Sequence, residues 1–171
     1  ADCEHALPKK VKYTKLSFLE KVKEMEDKIA KGDDPYSNAL LVGNAFYNAS
    51  YFGSVRFFYL NPIIDEYGYR VSAEHWDVLL NMKQAKKYYL LAKEHASNDE
   101  QRAKITYLLA KVERNEYYNK NFFCKEEYTR ESLDTGLHYR WDAFEELRRY
   151  AHTKYYQEVI AECGYFRKFV H

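Results

Sequence analysis

Glycine and proline are scarce in this chain, which has 6 and 3 of them among its 171 residues. β-Sandwiches and barrels use many such residues in their turns, so the scarcity favours helices over strands. No stretch approaches the roughly 18 consecutive apolar residues that a membrane-spanning helix needs, and no signal peptide is recognisable. The sequence therefore predicts an all-α protein that is not transmembrane.

An excess of charge of either sign is also missing, because 27 basic and 26 acidic residues leave a net charge of +1. Such a balance provides no long-range field that would gather nucleic acid or an anionic membrane. One local basic face consists of Lys83, Lys86, Lys87 and Lys93. We interpret it as a solvated helix surface rather than a site for single-stranded nucleic acid, and we expect no nucleic-acid partner.

Cysteine and histidine lack the spacing of a metal site or a catalytic site. The three cysteines are Cys3, Cys124 and Cys163, without a C-x-x-C pair, and the six histidines form no His-Glu-x-x-His motif. A Cys124–Cys163 disulfide and two unpaired thiols both fit the sequence. We expect no catalytic residue, no metal and no cofactor. An enzyme, our third interpretation, would need a water-excluded pocket that gathers His and carboxylates from separate helices.

Aromatic side chains are abundant instead, and the chain is rich in tyrosine, with 18 of them. A tyrosine packs its ring and still hydrogen-bonds through its hydroxyl, so many of them suit either seams between helices or a recognition surface. The length and the hydrophobic fraction of 46 % fit one domain with an ordinary core. We predict a single helical domain over 1–171, with a leader at 1–14 and irregular insertions at 53–71 and 120–140.

Helix boundaries follow from capping motifs and apolar stripes. The boundary signals are Ser17 with Glu20, Gly32, Asp34 with Pro35, Ser97 with Glu100, Thr153, and Cys163 with Gly164. The predicted helices lie between Ser17 and Gly32, at 35–50, within 73–96, and at 98–119, 141–151 and 154–163, with a helical turn in the tail at 165–170. The stripe of the fifth helix is predicted to contain Phe144, Leu147 and Ala151.

The segment Val42-Gly43-Asn44-Ala45-Phe46-Tyr47 resembles the first helix of a tetratricopeptide repeat. Ala85, Tyr89 and Ala92 have the spacing of its second helix, in which small residues let the helices touch and the ring fills the seam. The Gly and the first Ala normally lie about 12 residues apart, whereas here an insertion separates them. The resemblance implies antiparallel helical hairpins stacked as a short tetratricopeptide-like solenoid, interrupted by the two irregular insertions.

A narrower resemblance is carried by residues 43–53 and 152–166, which are similar to a group of uncharacterised envelope-associated repeat proteins of Bacteroidota. That group implies no activity. It implies a place in the cell envelope, in the periplasm or at the outer membrane, with the cytoplasm as the alternative.

The resemblance also implies partner-binding residues. In peptide-clamping tetratricopeptide proteins, the Asn of the Gly-Asn pair faces a concave groove and hydrogen-bonds the ligand, and Asn44 holds that position. Asn48 lies one turn further on the same face, and Tyr51 and Phe52 follow it. The alternative for Asn44 is that its amide satisfies a neighbouring group of the chain itself.

We therefore predict a non-enzymatic module that holds a peptide segment or a subunit of a complex in a helical groove, the rest of its own chain being one candidate. The rival hypothesis is a glycan-binding surface protein. Trp76, Tyr139 and Trp141 lie in or near the insertions, where exposed rings can stack on a sugar.

Overall fold

The computed structural model describes residues 13–54, 80–120 and 141–170. Within these ranges every regular element is a helix, which confirms the all-α prediction. Most of the predicted leader and of both insertions lies outside the described residues, as do Trp76, Tyr139, Cys3 and Cys124. The helices are α1 (Lys15–Ala30), α2 (Pro35–Ala49), α3 (Lys83–Glu94), α4 (Asp99–Tyr118), α5 (Asp142–Leu147), α6 (Lys154–Glu162) and α7 (Gly164–Val170), and a 3-10 turn (Arg148–Tyr150) follows α5.

The start of α1 differs from the prediction. Thr14 caps the helix by accepting a hydrogen bond from the Ser17 backbone N–H at 3.1 Å, and the Ser17 hydroxyl accepts one from the Thr14 N–H at 2.9 Å. The capping box is therefore Thr14 with Ser17 rather than Ser17 with Glu20, because a serine hydroxyl can take the position usually held by a glutamate. The end of α1 is confirmed, since Gly32 adopts a φ of 74°, which suits a residue without Cβ.

The other boundaries mostly follow the capping motifs. Asp34 caps α2 ahead of Pro35, and Thr153 caps α6, as predicted. Asn98 rather than Ser97 caps α4, with its Oδ1 accepting from the Gln101 N–H at 2.9 Å. The helix predicted at 141–151 is shorter than expected. It gives way to the 3-10 turn after α5, and this leaves Ala151 exposed.

Helices α1 to α4 pack mainly in chain order, each against the next, and α5 and α6 pack on α4. The seam between α2 and α3 is closed at Gly43, where an added Cβ would lie 2.5 Å from Cδ1 of Tyr89. Ala85, Tyr89 and Ala92 are all buried. The two helices that resemble one repeat therefore pack together in spite of the long segment between them.

Helix α4 forms the centre of the described structure, and its residues 105–112 are all buried. One side packs into a cluster with α2 and α3, and the other packs into an aromatic cluster with the C-terminal helices. Two carboxylates of α4 also hold helix N-termini. Glu113 accepts from the N–H groups of Asp142 and Ala143 at 3.1 and 3.0 Å, and Glu100 accepts from those of Lys154 and Tyr155 at 2.8 and 3.0 Å.

Candidate functional site

Asn44 lies on α2 beside the seam with α3. Its Oδ1 accepts a hydrogen bond from the hydroxyl of Tyr89 at 2.9 Å, and the ring of Tyr89 is fully buried beneath Gly43. This bond fixes the orientation of the amide, because Oδ1 must face the hydroxyl and Nδ2 must point away from it. Among the described residues, nothing accepts a hydrogen bond from Nδ2. Asn44 is thus partly a structural residue and partly an oriented donor.

Asn48 uses both ends of its amide within the chain. Its Nδ2 donates to the backbone oxygen of Asn44 at 2.9 Å, and its Oδ1 accepts from the hydroxyl of Ser54 at 3.0 Å. Gly53 packs so closely here that an added Cβ would lie 2.3 Å from the Asn48 backbone. The amide of Asn48 therefore ties the following turn onto the end of α2.

Tyr51 and Phe52 lie in that turn and are half-buried. Their rings meet edge to face with centroids 5.5 Å apart, and Phe52 packs against the core cluster of α2, α3 and α4. The structure thus brings the four predicted partner-binding residues to one end of α2, but it engages most of their groups in contacts within the chain.

A set of buried polar side chains joins α2 to α4, and the sequence pattern did not single it out. The hydroxyl of Tyr47 accepts from Nδ2 of Asn115 at 3.0 Å, and Nζ of Lys111 lies 4.7 Å from the centre of the Tyr47 ring. Lys111 is only 4 % exposed and Asn115 only 2 %. This part of the face that α2 and α4 share is therefore closed to a partner.

The open side of α2 is different. Leu41 is the one exposed residue of this helix. Half-buried residues recur around it every three or four positions, which places them near the same face; they are Ser37, Asn44, Ala45 and Asn48. Leu41, at the middle of this face, is 51 % exposed. We call these five residues the α2 surface. None of the 15 residues of α2 is charged, although 31 % of the residues in the whole chain are charged.

The outer face of α1 differs from α2, because it carries many charged side chains. Lys21 and Lys28 both pair with Glu24, and Lys23 pairs with Asp27 at 2.6 Å. Hydrogen bonds from Lys21 and Lys28 lower the pKa of Glu24 to about 2. The exposed helix α1 therefore carries many charges, whereas α2, which exposes only Leu41, carries none. The absence of charge over residues 35–49 can be read directly from the sequence, and it is the signal that would have found this surface.

The basic face of α3 is largely engaged by neighbouring helices. Lys86 pairs with Glu116 of α4 at 2.7 Å, and Lys93 pairs with Glu146 of α5 at 2.7 Å. Nζ of Lys87 lies 5.0 Å from the centre of the Tyr88 ring. The face interpreted as a solvated helix surface is thus partly exposed and partly paired within the chain.

Of the three residues of the glycan hypothesis, only Trp141 lies within the described ranges. It is 9 % exposed, and its ring meets those of Tyr117 and Phe144 with centroids 5.4 and 6.4 Å apart. Trp141 therefore belongs to the aromatic cluster and does not offer an open ring face on which a sugar could stack.

Shifted pKa values elsewhere in the described ranges also belong to structural contacts. Burial raises the pKa of Tyr88 to about 12, with help from its hydrogen bond to Glu26 of α1. The N–H groups of Tyr155 and Lys154 lower the pKa of Glu100. Both shifts therefore arise from burial and from hydrogen bonds between helices.

Two further properties concern the described ranges alone. They gather no group of three or more His, Cys, Asp or Glu side chains that could hold a metal ion. No helix there combines the length and the apolarity required to cross a membrane. The chain matches no protein-family model, no curated protein and no solved structure.

Proposed function

We propose that this protein is a non-enzymatic protein–protein binding or assembly module that meets its partner through the α2 surface. One observation carries the proposal: Leu41 is 51 % exposed at the middle of a helix that has no charged residue. The centres of protein interfaces are depleted of charged side chains, whereas solvated surfaces are rich in them. A surface that a partner covers explains this composition better than a surface that stays in water.

The chemistry of the α2 surface indicates what a partner must offer. Leu41 supplies an exposed apolar side chain, so burial against an apolar group of the partner is favourable. One turn away, Asn44 presents an amide Nδ2 whose orientation the buried Tyr89 hydroxyl sets. A carbonyl oxygen on the partner, from its backbone or from a side-chain amide, fits this donor without bringing charge into an uncharged surface.

The same proposal includes the type of fold and the location. Packing in chain order from α1 to α4, with Gly43 and Tyr89 closing the α2–α3 seam, supports a tetratricopeptide-like repeat. We propose a bacterial cell envelope location from the resemblance of residues 43–53 and 152–166 to envelope-associated proteins of Bacteroidota.

The test is affinity capture from a native envelope extract of the source bacterium, with mass spectrometry and carbohydrate analysis of the bound material. Leu41→Glu places a charge at the middle of the α2 surface. Leu19→Glu is the matched control, since Leu19 is 61 % exposed on the outer face of α1. We expect wild type and Leu19→Glu to retain the same protein and Leu41→Glu to lose it. Recovery of polysaccharide alone, or a protein set that Leu41→Glu leaves unchanged, would contradict the proposal.

A further inference from the structure

We propose that the N-terminal end of α1, together with the lysines just before it, binds the surface of an anionic lipid bilayer. The apolar part of this site consists of Tyr13, Leu16 and Leu19, with Lys15 beside them, and we call these four residues the α1 tip. It lies on a different helix from the α2 surface, so the inference does not depend on the proposed function. It adds a second partner of a different class.

The α1 tip holds most of the large apolar side chains that face solvent in the described ranges. Five such side chains are exposed there, and three of them are Tyr13, Leu16 and Leu19. The two leucines are 66 and 61 % exposed, the highest values of the five. The opposite side of α1 carries Val22 and Met25, which pack against α2 and α3. Leu16 and Leu19 therefore point away from the body of the protein.

The chain leading into α1 carries the densest run of positive charge. Residues 9–15 contain four lysines and no acidic residue, and no other window of seven residues in the chain contains four basic residues. The nearest acidic residues in the sequence are Glu4 and Glu20. The near-neutral total charge therefore conceals a local excess beside the α1 tip. This excess provides no long-range field, but it acts at contact with an anionic surface, within the screening length of about 8 Å at physiological salt.

The position of these lysines in the chain keeps them close to the apolar side chains. Lys12 adjoins Tyr13, and Lys15 adjoins Leu16. Lys9 is four residues before Tyr13, so even a fully extended chain separates the two by at most about 14 Å. The positive charge and the exposed leucines therefore belong to one small region of the molecule.

These two features together select a lipid surface. Apolar side chains reach the acyl boundary of a bilayer, while lysines meet its anionic headgroups and tyrosine rings suit the interface between them. An uncharged protein surface would cover the leucines and leave the lysines without anions. An acidic polymer would meet the lysines and leave the leucines in water. An anionic bilayer meets both, and its fluid interior closes around protruding side chains without a matching shape.

The basic face of α3 lacks this combination. Lys86 and Lys93 are paired with Glu116 and Glu146. Leu90 is the one exposed large apolar side chain of that helix. Helix α3 therefore supplies matched controls for both the lysines and the leucines of the proposed site.

Charges further along α1 limit how deeply the helix can enter the bilayer. Ion pairs begin just after the tip, where Lys21 pairs with Glu24 and Lys23 pairs with Asp27. Only the tip can therefore leave water. Two leucines are a weak anchor by themselves, since even a single myristoyl chain gives only marginal membrane binding. Binding should therefore be reversible, and it should require anionic lipid.

The first test is cosedimentation of the full 171-residue chain with lipid vesicles, with any tag placed at the C-terminus. Vesicles of phosphatidylcholine that contain about one quarter phosphatidylglycerol are compared with vesicles of phosphatidylcholine alone. Wild type should bind the anionic vesicles, and the bound fraction should fall as salt rises from about 50 to 300 mM. Binding to neither kind of vesicle, or equal binding to both, would overturn the inference.

Two leucine variants isolate the apolar contribution, because each removes one exposed leucine without changing the net charge. Leu16→Gln should lower the partition coefficient for anionic vesicles about 10-fold. Leu90→Gln, the control on α3, should keep the wild-type value. Circular dichroism verifies that both variants are folded. An unchanged partition coefficient for Leu16→Gln, or an equal loss for Leu90→Gln, would contradict insertion of the α1 tip.

Two double lysine variants isolate the charge. Lys9→Gln with Lys10→Gln should weaken partitioning about 30-fold. Lys83→Gln with Lys87→Gln lowers the net charge of the chain by the same amount and should stay near wild type. Equal losses would show that total charge matters rather than this site, and would contradict the inference. If vesicles stay unbound while the lysines before α1 retain an acidic protein, the site serves a protein and the inference is overturned.

Discussion

Gly43→Ala is the sharpest test of how α2 and α3 pack. The new Cβ would lie 2.5 and 2.6 Å from Cδ1 and Cε1 of Tyr89, where ordinary contacts begin at 3.4 Å. The ring is fully buried, so it can yield only by displacing its neighbours. Overpacking of this kind costs about 1–3 kcal/mol. A shifted ring also loses about 1 kcal/mol if its hydroxyl leaves Asn44, whereas the better helix propensity of alanine restores about 1 kcal/mol.

The expected net loss of unfolding free energy for Gly43→Ala is therefore about 2 kcal/mol, or a fall in Tm of about 4–8 °C for a chain of this length. Urea denaturation followed by circular dichroism measures it. Gly164→Ala is the matched control, because Gly164 is a helical glycine with nothing within 4 Å of its added Cβ. It should stay within about 0.5 kcal/mol of wild type. Adding Tyr89→Leu should make Gly43→Ala less costly. A Gly43→Ala variant as stable as wild type would refute the close contact.

Three further variants test other contacts. Asn44→Ala removes the acceptor of the hydrogen bond from the Tyr89 hydroxyl and should lower the free energy of unfolding by about 1–3 kcal/mol in urea denaturation. The loss should shrink in a Tyr89→Phe background, which lacks that hydroxyl. Equal losses in both backgrounds would exclude the bond. Gly32→Ala places a Cβ at a φ of 74° and should lower the free energy of unfolding by about 1 kcal/mol in the same measurement. An unchanged free energy would contradict the left-handed conformation at the end of α1. Glu100→Gln removes a carboxylate whose pKa is lowered in the folded state. Since a lowered pKa stabilises the fold above the unfolded value, the difference from wild type should be present at neutral pH and fade as pH falls through the folded pKa of Glu100. Urea midpoints along a pH series check this, and a difference that grows on acidification would reverse the assigned sign.

Much of the fold was predictable because it depends on local chemistry. The start of α2 depends on Asp34, Pro35 and a capping contact that spans only four residues of the chain. The end of α1 depends on the backbone conformation of Gly32 alone. The errors were local as well. Thr14 and Asn98 replaced the expected caps because several Ser, Thr and Asn residues compete near each helix start.

The roles of the site residues could not be read in the same way. The Oδ1 of Asn44 is engaged by Tyr89, which is 45 positions away in the chain, and only the packed structure brings them together. Lys111 and Asn115 are polar residues that a pattern places at the surface, yet both are buried beside Tyr47. Burial depends on what covers a side chain, and a single helical period does not contain that information.

Asn44 and Leu41 play different parts in any binding experiment at α2. The amide of Asn44 is shared between the core, through Tyr89, and the surface, through its outward Nδ2. Removing it changes stability and recognition together, so weaker binding by Asn44→Ala would not by itself locate a partner. Leu41 packs into none of the buried clusters and is half exposed. A polar substitution at Leu41 leaves the core intact, and it is therefore this position, not the Gly-Asn pair, at which binding can be separated from folding.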